Sequence, residues 1–299
     1  MTMTRGRIGQ AVLLGIWLCM TMSALADDDR WVVLGGDIAE TVAALDATDR
    51  LVGRDDTSLY PDEVVALPSV GYLRRLSAES VLSLKPDHIL ASDDAAPAET
   101  LDQLRAAGVS VEVIESPDTL SSIPGKVKAV AGTLSLDARG RELIASLDHE
   151  IEALAALPEL PATRAMFILS HGGMTPMVAG RDTAAQEMLE TVGLENAFSG
   201  MEGYKPVGAE ALARQAPQLV LISRRGLDAL GGEDALWAMP GLDMTPAGRD
   251  KRLLVVDDQG LLGFGPRTPS LLLALRERLD ALLAGDDTAL LEREAPPWT

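Results

Sequence analysis

The 299-residue chain has 45 acidic and 26 basic residues, which gives a formal net charge of −19, and it contains a single cysteine. A chain this acidic lacks the basic patches that displace counterions from phosphates, so non-specific binding of nucleic acid is excluded as its function. An anionic ligand would have to be met by a local cluster of cations. The length exceeds what one small core fills and predicts two domains of ordinary size.

The N-terminal segment has the three parts of a secretory signal peptide. Arg5 and Arg7 form a basic start, residues 11–20 form an apolar run, and Ala24-Leu-Ala26 forms a cleavage site. The run is too short to cross a bilayer, which needs about 20 apolar residues. We therefore predict export and cleavage that removes residues 1–26. The cysteine leaves with them, so the mature chain has no thiol for a disulfide or a metal site.

Beyond this segment, short apolar runs alternate with stretches of helical period. The runs are typical of buried strands. The strand candidates are residues 31–34, 51–53, 88–91, 109–114, 165–169, 219–222 and 253–256, and the helix candidates include residues 37–45, 77–84, 98–107 and 183–192. This alternation predicts an α/β fold with parallel sheets covered by helices on both faces.

One helix is predicted to be much longer than the others. Residues 136–157 keep a helical apolar period until Pro158 and Pro161 end it. At about 1.5 Å per residue this helix is about 30 Å long, the width of a small domain. It is either an ordinary core element or a rigid spacer between two halves, and we place the linking helix at residues 135–160.

An internal repeat indicates that the two halves are alike. Residues 77–92 align without a gap on residues 208–223, and each copy is predicted to form a helix, a proline-marked turn and a buried strand. Glu79 and Glu210 occupy the same place in the two copies. Two copies on either side of the long helix predict an N-terminal lobe over residues 27–134 and a C-terminal lobe over residues 161–299, rather than a solenoid of three or more repeats. Small ligands usually bind in a cleft of the kind that two such lobes form.

Motifs of enzymes are absent from the sequence. It contains no Gly-x-Ser-x-Gly, no phosphate-binding glycine-rich loop ending in Lys-Ser/Thr, and no His-Glu-x-x-His. The three histidines, His88, His149 and His171, are far apart, which disfavours a multi-histidine metal site.

The segment Arg54-Asp-Asp-Thr-Ser-Leu-Tyr-Pro61 is the candidate binding loop. Pro61 favours an extended backbone at Tyr60, which helps to direct the phenol out of the loop. Tyr60 is either a half-buried aromatic residue with its hydroxyl in water or a phenolate ligand of ferric iron, a role that tyrosine has with haem. A cation nearby, such as Arg54, would favour the phenolate.

Several motifs together resemble the haem-binding periplasmic proteins of bacterial ABC-type haem importers. The resemblance covers essentially the whole mature chain. It rests on Asp55-Asp-Thr-Ser-Leu-Tyr-Pro61, Val70-Gly-Tyr-Leu-Arg-Arg-Leu-Ser-Ala-Glu79, Leu84-Lys-Pro-Asp87, Leu169-Ser-His-Gly-Gly173, Gly203-Tyr-Lys-Pro206 and Leu262-Gly-Phe-Gly-Pro-Arg267. The Lys-Pro-Asp element is shared with siderophore and cobalamin binders. The resemblance implies a class III periplasmic binding protein fold, in which two Rossmann-like lobes are joined by a long rigid helix.

The resemblance also implies roles for single residues, with haem b as the transported ligand. Tyr60 is the expected axial ligand of the iron. Some members of the family hold a second, stacked haem through a histidine that corresponds to His171, for which the alternative is a loop residue bound to backbone groups.

The haem propionates require cations, and the haem faces require apolar side chains. Arg54, Arg74, Arg75 and Lys205 are the first candidates for the propionates, and Arg224, Arg225 and Arg267 are weaker ones. Each of them is otherwise a solvated surface charge. Tyr72, Tyr204, Met174 and Phe264 either line the haem faces or pack in the core.

By resemblance, Glu79 and Glu210 each dock one lobe on arginines of the transporter's membrane subunits. The alternative is that they only stabilise the first turns of their helices. The sequence thus predicts a periplasmic haem carrier that is not an enzyme, and an outer-membrane haem delivery system is a candidate upstream partner. A siderophore or cobalamin binder of the same fold, or an exported haem-modifying enzyme, is the alternative.

Overall fold

Two separate β-sheets organise the chain. A computed structural model describes residues 29–285, so the predicted signal peptide and residues 286–299 lie outside the described residues. The strands of the first sheet are β1 (Trp31–Leu34), β2 (Leu51–Arg54), β3 (His88–Ser92) and β4 (Ser110–Ile114). Those of the second are β5 (Arg164–Leu169), β6 (Met177–Ala179), β7 (Glu195–Asn196), β8 (Tyr204–Lys205), β9 (Leu219–Ser223) and β10 (Leu253–Val256).

The first sheet has the order β2-β1-β3-β4, and all its pairings are parallel. All four residues of β1 are buried, because helices cover both faces of the sheet. The helices of this half are α1 (Gly36–Ala44), α2 (Asp62–Val65), α3 (Ala78–Ser83), α4 (Ala98–Ala106), α5 (Ile123–Thr133) and α6 (Asp137–Ala155), with 3-10 turns at Thr48–Arg50, Leu73–Arg75 and Leu120–Ser122.

The second sheet is mixed, with the order β10-β9-β5-β6-β8, and β7 also pairs with β5. Strands β5, β9 and β10 are parallel, but β6 pairs antiparallel with both β5 and β8. The expectation of parallel sheets throughout was therefore wrong at this edge. Strands of two or three residues are too short to leave a periodic pattern in the sequence. The helices of this half are α7 (Ala184–Thr191), α8 (Ala209–Gln215), α9 (Arg224–Leu230), α10 (Glu233–Trp237), α11 (Pro246–Asp250), α12 (Asp258–Leu262) and α13 (Thr268–Leu283).

The predicted long helix is α6, which has 19 residues and is thus about 28 Å long. It packs against α5 of the first half and α13 of the second. Its buried residues, Gly140, Leu147 and Leu154, recur every seven positions and so share one stripe of the helix. A Cβ on Gly140 would lie 2.5 Å from the Cβ of Ala131, so this residue lets α5 approach closely. Helix α6 is thus both a core element and a connection between the halves, while the lobe boundaries at residues 134/135 and 160/161 stay a prediction.

The internal repeat is visible in the backbone. Lys85 and Ala216 occupy equivalent positions just before a proline, and both have a left-handed backbone, with φ of 50° and 45°. A residue before proline avoids the α-helical region, so each copy ends its helix in this conformation. The next equivalent pair is Asp87 and Gln218. Asp87 accepts a hydrogen bond at 3.1 Å from the backbone N–H immediately before β1. Gln218 accepts one at 2.9 Å from the first backbone N–H of β5.

The two lobes meet beside a buried ion pair of the first lobe. The Lys126 side chain on α5 is fully buried, and its Nζ lies 2.6 Å from a carboxylate oxygen of Asp37 on α1. The same Nζ donates to the backbone carbonyl of Phe264, in the second lobe, at 3.0 Å. Phe264 packs in an apolar cluster with residues of α5, α6 and α7. Of the two alternatives for Phe264, packing in the core is the one observed, because its side chain is fully buried in this contact.

Within residues 29–285, none of the helices combines the length and the hydrophobicity that a membrane crossing requires.

Removing the Asp37 carboxylate should strongly destabilise the protein. We expect Asp37→Ala to lower the free energy of unfolding by about 3–5 kcal/mol, because it leaves Lys126 as a buried charge without its counterion. The double variant Asp37→Ala, Lys126→Met should recover much of this loss, since it removes both charges. Urea denaturation measures the difference. A single variant within about 1 kcal/mol of the wild type would contradict the importance of the pair.

Candidate functional site

The candidate site lies where the carboxyl ends of the parallel strands of the two sheets face each other. Ligands of open α/β sheets bind at these ends. The loop after β2 brings Tyr60 to this position from the first lobe, and the segments after β9 and β10 approach from the second lobe. The space between them is a pocket of about 280 Å³. The first lobe contributes Leu59, Tyr60 and Asp62, and the second contributes Arg224, Arg225, residues 255–259 and Arg267.

Asp55 holds the loop that carries Tyr60. Its side chain is fully buried, and one carboxylate oxygen accepts hydrogen bonds from the Gly35 N–H at 2.9 Å and the Ser58 hydroxyl at 2.7 Å. The other oxygen accepts from the backbone N–H and the hydroxyl of Thr57 at 2.7 Å and 2.5 Å. An aspartate that bonds the backbone two residues on forms an Asx turn. The Asp-Asp-Thr-Ser part of the motif therefore shapes the loop, which continues through a cis peptide bond between Tyr60 and Pro61.

Tyr60 is half-buried, and a cation from the opposite lobe lies on its ring. The guanidinium carbon of Arg267 is 3.6 Å from the centroid of the Tyr60 ring, which is a close cation–π contact. Arg267 immediately precedes α13, so the contact joins the second lobe to the binding loop of the first.

Two carboxylates hold this guanidinium. Glu40 of α1 accepts from Arg267 Nε at 3.0 Å and from Nη2 at 2.7 Å, while Asp257 accepts from Nη1 at 3.0 Å. Burial raises the pKa of Glu40, and the hydrogen bond and charge of Arg267 oppose this rise. Burial lowers the pKa of Arg267, but the hydrogen bond and charge of Glu40, followed by Asp257, outweigh it and leave the pKa above its ordinary value. Arg267 thus stays charged.

Gln259 completes the contact between the lobes. Its side-chain oxygen accepts from the Leu59 N–H at 2.6 Å. Its Nε2 donates to Glu40 at 2.7 Å and to the Gly36 carbonyl at 3.3 Å. A Cβ on Gly36 would lie 2.7 Å from the Thr57 carbonyl oxygen, so the binding loop needs a glycine there.

The first candidates for propionate contacts lie away from this pocket. Arg54 donates to the backbone carbonyls of Val65, at 3.1 and 3.2 Å, and of Asp55, at 2.9 Å, so it supports the loop that carries Tyr60. Arg74 pairs with Asp94 at 2.6 Å.

Arg75 lies 5.9 Å from the Tyr72 ring, and Lys205 is exposed on β8. The cations that line the pocket with Tyr60 are the weaker candidates Arg224, Arg225 and Arg267.

His171 lies in an exposed turn after β5, where its carbonyl accepts from the Met174 N–H at 3.0 Å. Because β5 is parallel to β9 and β10, this turn emerges at the same edge of the sheet as Arg224 and Asp257. The structure records no contact between His171 and Tyr60. Met174 and Tyr72 are exposed at 55% and 41%, so both can meet a ligand.

A second polar cluster lies on the first lobe near Tyr204. Burial raises the pKa of Asp118 to about 6, and the charge of Asp94 adds to the rise while Lys126 opposes it. Burial also raises the pKa of the Tyr204 phenol, to which the charge of Asp118 contributes. This region is acidic, in contrast with the arginines near Tyr60. Over residues 29–285, no group of three or more histidine, cysteine or acidic side chains is arranged to hold a metal ion.

The candidate docking glutamates are exposed in the first turns of equivalent helices, Glu79 in α3 and Glu210 in α8. Glu210 lies 3.5 Å from Arg214, one turn further along its helix.

The sequence analysis missed Glu40, Asp257 and Gln259. One available signal was a carboxylate within the apolar part of a predicted helix, because Glu40 lies between the apolar residues Ala39 and Val42 and a buried acid requires a partner.

Known proteins resemble the chain over most of its length. The periplasmic haem-binding protein BhuT, in complex with two haems, is 43% identical with a TM-score of 0.78, and the match covers 85% of this chain and 98% of that one. The periplasmic haem-binding protein RhuT from Roseiflexus sp. RS-1, in its apo form, is 37% identical with a TM-score of 0.79, covering 87% and 99%. The vitamin B12-binding protein of Pectobacterium carotovorum subsp. carotovorum (strain PC1) is 25% identical over 282 residues, 93% of this chain and 97% of the relative.

The profile of one family also matches residues 32–259, which include nearly all of both sheets together with Glu40, Tyr60 and Gln259. The chain belongs to the periplasmic binding protein family.

Proposed function

We propose that the protein binds haem b in the cleft between its lobes and delivers it to an ABC-type importer. The observation that carries the proposal is Tyr60, a half-buried phenol in an inter-lobe pocket with the Arg267 guanidinium 3.6 Å from its ring. The likeness to solved periplasmic haem-binding proteins supports the same ligand.

Tyr60 has the chemistry of a ferric ligand. A phenolate binds ferric haem iron, and the guanidinium of Arg267 packs on the Tyr60 ring. Since three of its N–H groups already bond to Glu40 and Asp257, we assign Arg267 to Tyr60 rather than to a propionate.

Arg224 and Arg225 are the best candidates for the propionates. Both are exposed at the start of α9 and line the pocket with Tyr60. A guanidinium can bond a carboxylate through two parallel hydrogen bonds. The pocket is at the small end of ligand sites, which run from about 300 to 1,000 Å³, so a bound macrocycle would extend into the groove beyond it. Arg74, Arg75 and Lys205 remain candidates for contacts further out.

His171 is the candidate ligand for a second haem. It is exposed on the turn after β5, at the strand edge that faces the cleft. BhuT was solved with two haems, which supports testing whether this chain holds two.

The proposed role is binding without catalysis. Export by the predicted signal peptide would place the protein in the periplasm, where haem would arrive from an outer-membrane delivery system. The loaded protein would then dock on the importer's membrane subunits through Glu79 and Glu210. The rigid helix α6 packs on both lobes, so it would hold these two glutamates at a constant separation.

A cobalamin binder is the second candidate, favoured by the relative named as a vitamin B12-binding protein. That function would need no tyrosine ligand for iron, so Tyr60 separates the two candidates.

Hemin added to the purified protein should give the high-spin ferric Soret and charge-transfer bands of a tyrosinate complex. Tyr60→Phe should lose most of the charge-transfer band, because the variant removes the ligand oxygen and keeps the ring. Tyr72→Phe, a matched change at an exposed tyrosine, should retain the band. An unchanged spectrum in Tyr60→Phe would remove this residue from the iron. Titration of the wild type and His171→Ala by absorbance gives the stoichiometry, and a fall from two haems to one would support the role of His171.

Import should depend on both docking glutamates. The double variant Glu79→Ala, Glu210→Ala should lose most haem-dependent ATPase activity in liposomes that contain the membrane subunits, while hemin binding stays unchanged. Glu99→Ala is the control, because Glu99 is also an exposed acid in the first turn of a helix. ATPase activity at the wild-type level in the double variant would contradict a docking role. These glutamates would then only stabilise the first turns of their helices.

A further inference from the structure

Glu40 is the buried point at which the two lobes converge behind the candidate ligand residue. Its side chain is 2% exposed. One carboxylate oxygen accepts from Arg267 Nη2 and Gln259 Nε2, each at 2.7 Å, and the other accepts from Arg267 Nε at 3.0 Å. A carboxylate of the first lobe thus receives all three of these hydrogen bonds from side chains of the second.

The same two donors also contact the loop that carries Tyr60. Arg267 lies on the ring of Tyr60, and Gln259 accepts from the N–H of Leu59, the preceding residue. Glu40 belongs to the same lobe as this loop. Among the described residues, however, the contacts that link its side chain to the loop pass through Arg267 and Gln259 of the second lobe. Separation of the lobes would therefore remove the contacts of the second lobe from Tyr60, Leu59 and Glu40 together.

The geometry explains why a carboxylate is suited to this position. Glu40 binds the guanidinium through two parallel hydrogen bonds, which fix the plane of the group as well as its place. Asp257 takes a hydrogen bond from the third nitrogen. With Nε, Nη1 and Nη2 all donating to carboxylates, the guanidinium presents its face to Tyr60. An arginine without this support would instead direct an N–H group to solvent or to a propionate.

Burial of the Glu40 carboxylate is unfavourable unless its charge is paired and its oxygens accept hydrogen bonds. A carboxylate out of water needs a counterion and hydrogen bonds, and burial raises the pKa of Glu40 against the effect of Arg267. An ion pair can satisfy a buried carboxylate without contacting the loop that carries Tyr60. The pair between Asp37 on α1 and Lys126 on α5 is of this kind.

We propose that Glu40 is a positioning residue for haem. Without touching the ligand, it orients Arg267 on the Tyr60 ring and, through Gln259, holds the backbone beside Tyr60. This inference rests on the proposed function. It implies that the bond between Tyr60 and iron depends on contact between the lobes. A transporter that separates the lobes would therefore also weaken this bond.

The test compares Glu40→Gln and Glu40→Ala with Asp280→Asn, a matched loss of charge at an acid that pairs with the buried guanidinium of Arg276 at 3.0 Å, away from the site. The rate at which hemin passes to apomyoglobin should rise by about tenfold or more in Glu40→Ala, the effect of one lost charged hydrogen bond. The rise should be smaller in Glu40→Gln, which keeps one acceptor, and the rate should stay within about threefold of wild type in Asp280→Asn. Gln259→Leu, at a half-buried position, should also raise the transfer rate. This variant replaces the Glu40 variants in the assay if those do not fold.

A second readout needs no haem. The chain has three tyrosines, so in the apo protein labelled with ¹³C-tyrosine, Tyr60→Phe assigns the ring signal of Tyr60. That signal should shift in Glu40→Gln and stay in place in Asp280→Asn. An unshifted signal together with transfer rates like those of Asp280→Asn would overturn the inference. Failure of the wild type to bind hemin would instead overturn the proposed function, and a shifted ring signal would then show that Glu40 still positions Tyr60 for another ligand.

Discussion

The guanidinium of Arg267 is the group on which the site depends. It is half-buried between two carboxylates and an aromatic ring, and these partners come from both lobes. A buried cation is stable only when its charge and its N–H groups are satisfied. That requirement fixes the distance between the lobes at this point, and it places a positive charge against the ring of Tyr60. The same contact thus contributes to the fold and orients the candidate ligand residue.

The repeat explains how two similar lobes make an unsymmetrical cleft. Where the aligned copies end, at Ser92 and Ser223, the next two residues are Asp93 and Asp94 in one lobe and Arg224 and Arg225 in the other. These positions follow β3 and β9, at the carboxyl ends of the two sheets. The repeated supersecondary unit supplies the same helix, turn and strand in both lobes, whereas opposite charges at its tip suit a ligand with one anionic edge. Glu79 and Glu210, which lie far from the strand ends in each copy, keep the same residue type.

Local signals account for what the sequence predicted well. The seven predicted strands and the long helix lie within a few residues of the observed elements, because burial on both sides of a parallel strand and an apolar stripe on a helix both leave short-range patterns. The mixed edge of the second sheet was missed because its strands have two or three residues. Tyr60 was found through a loop motif, and the structure adds that the acidic part of the motif folds the loop around Asp55.

The polar network behind Tyr60 could not be read from the sequence for a different physical reason. Arg267 and Glu40 are 227 residues apart, and Gln259 and Leu59 are 200 apart. Neither pair has a period or a spacing that marks it, because the contact exists only when two distant parts of the chain are brought together. The sequence alone does not give the burial of a cation, and Arg54 and Arg74 were therefore ranked above Arg267, although Arg267 ends one of the matching motifs. Burial ranks them differently: a charge that is taken out of water must have partners, and its partners identify what it does. By that criterion Arg54 supports the backbone of its own loop, Arg74 pairs with an acid at the surface, and Arg267 positions Tyr60 of the opposite lobe.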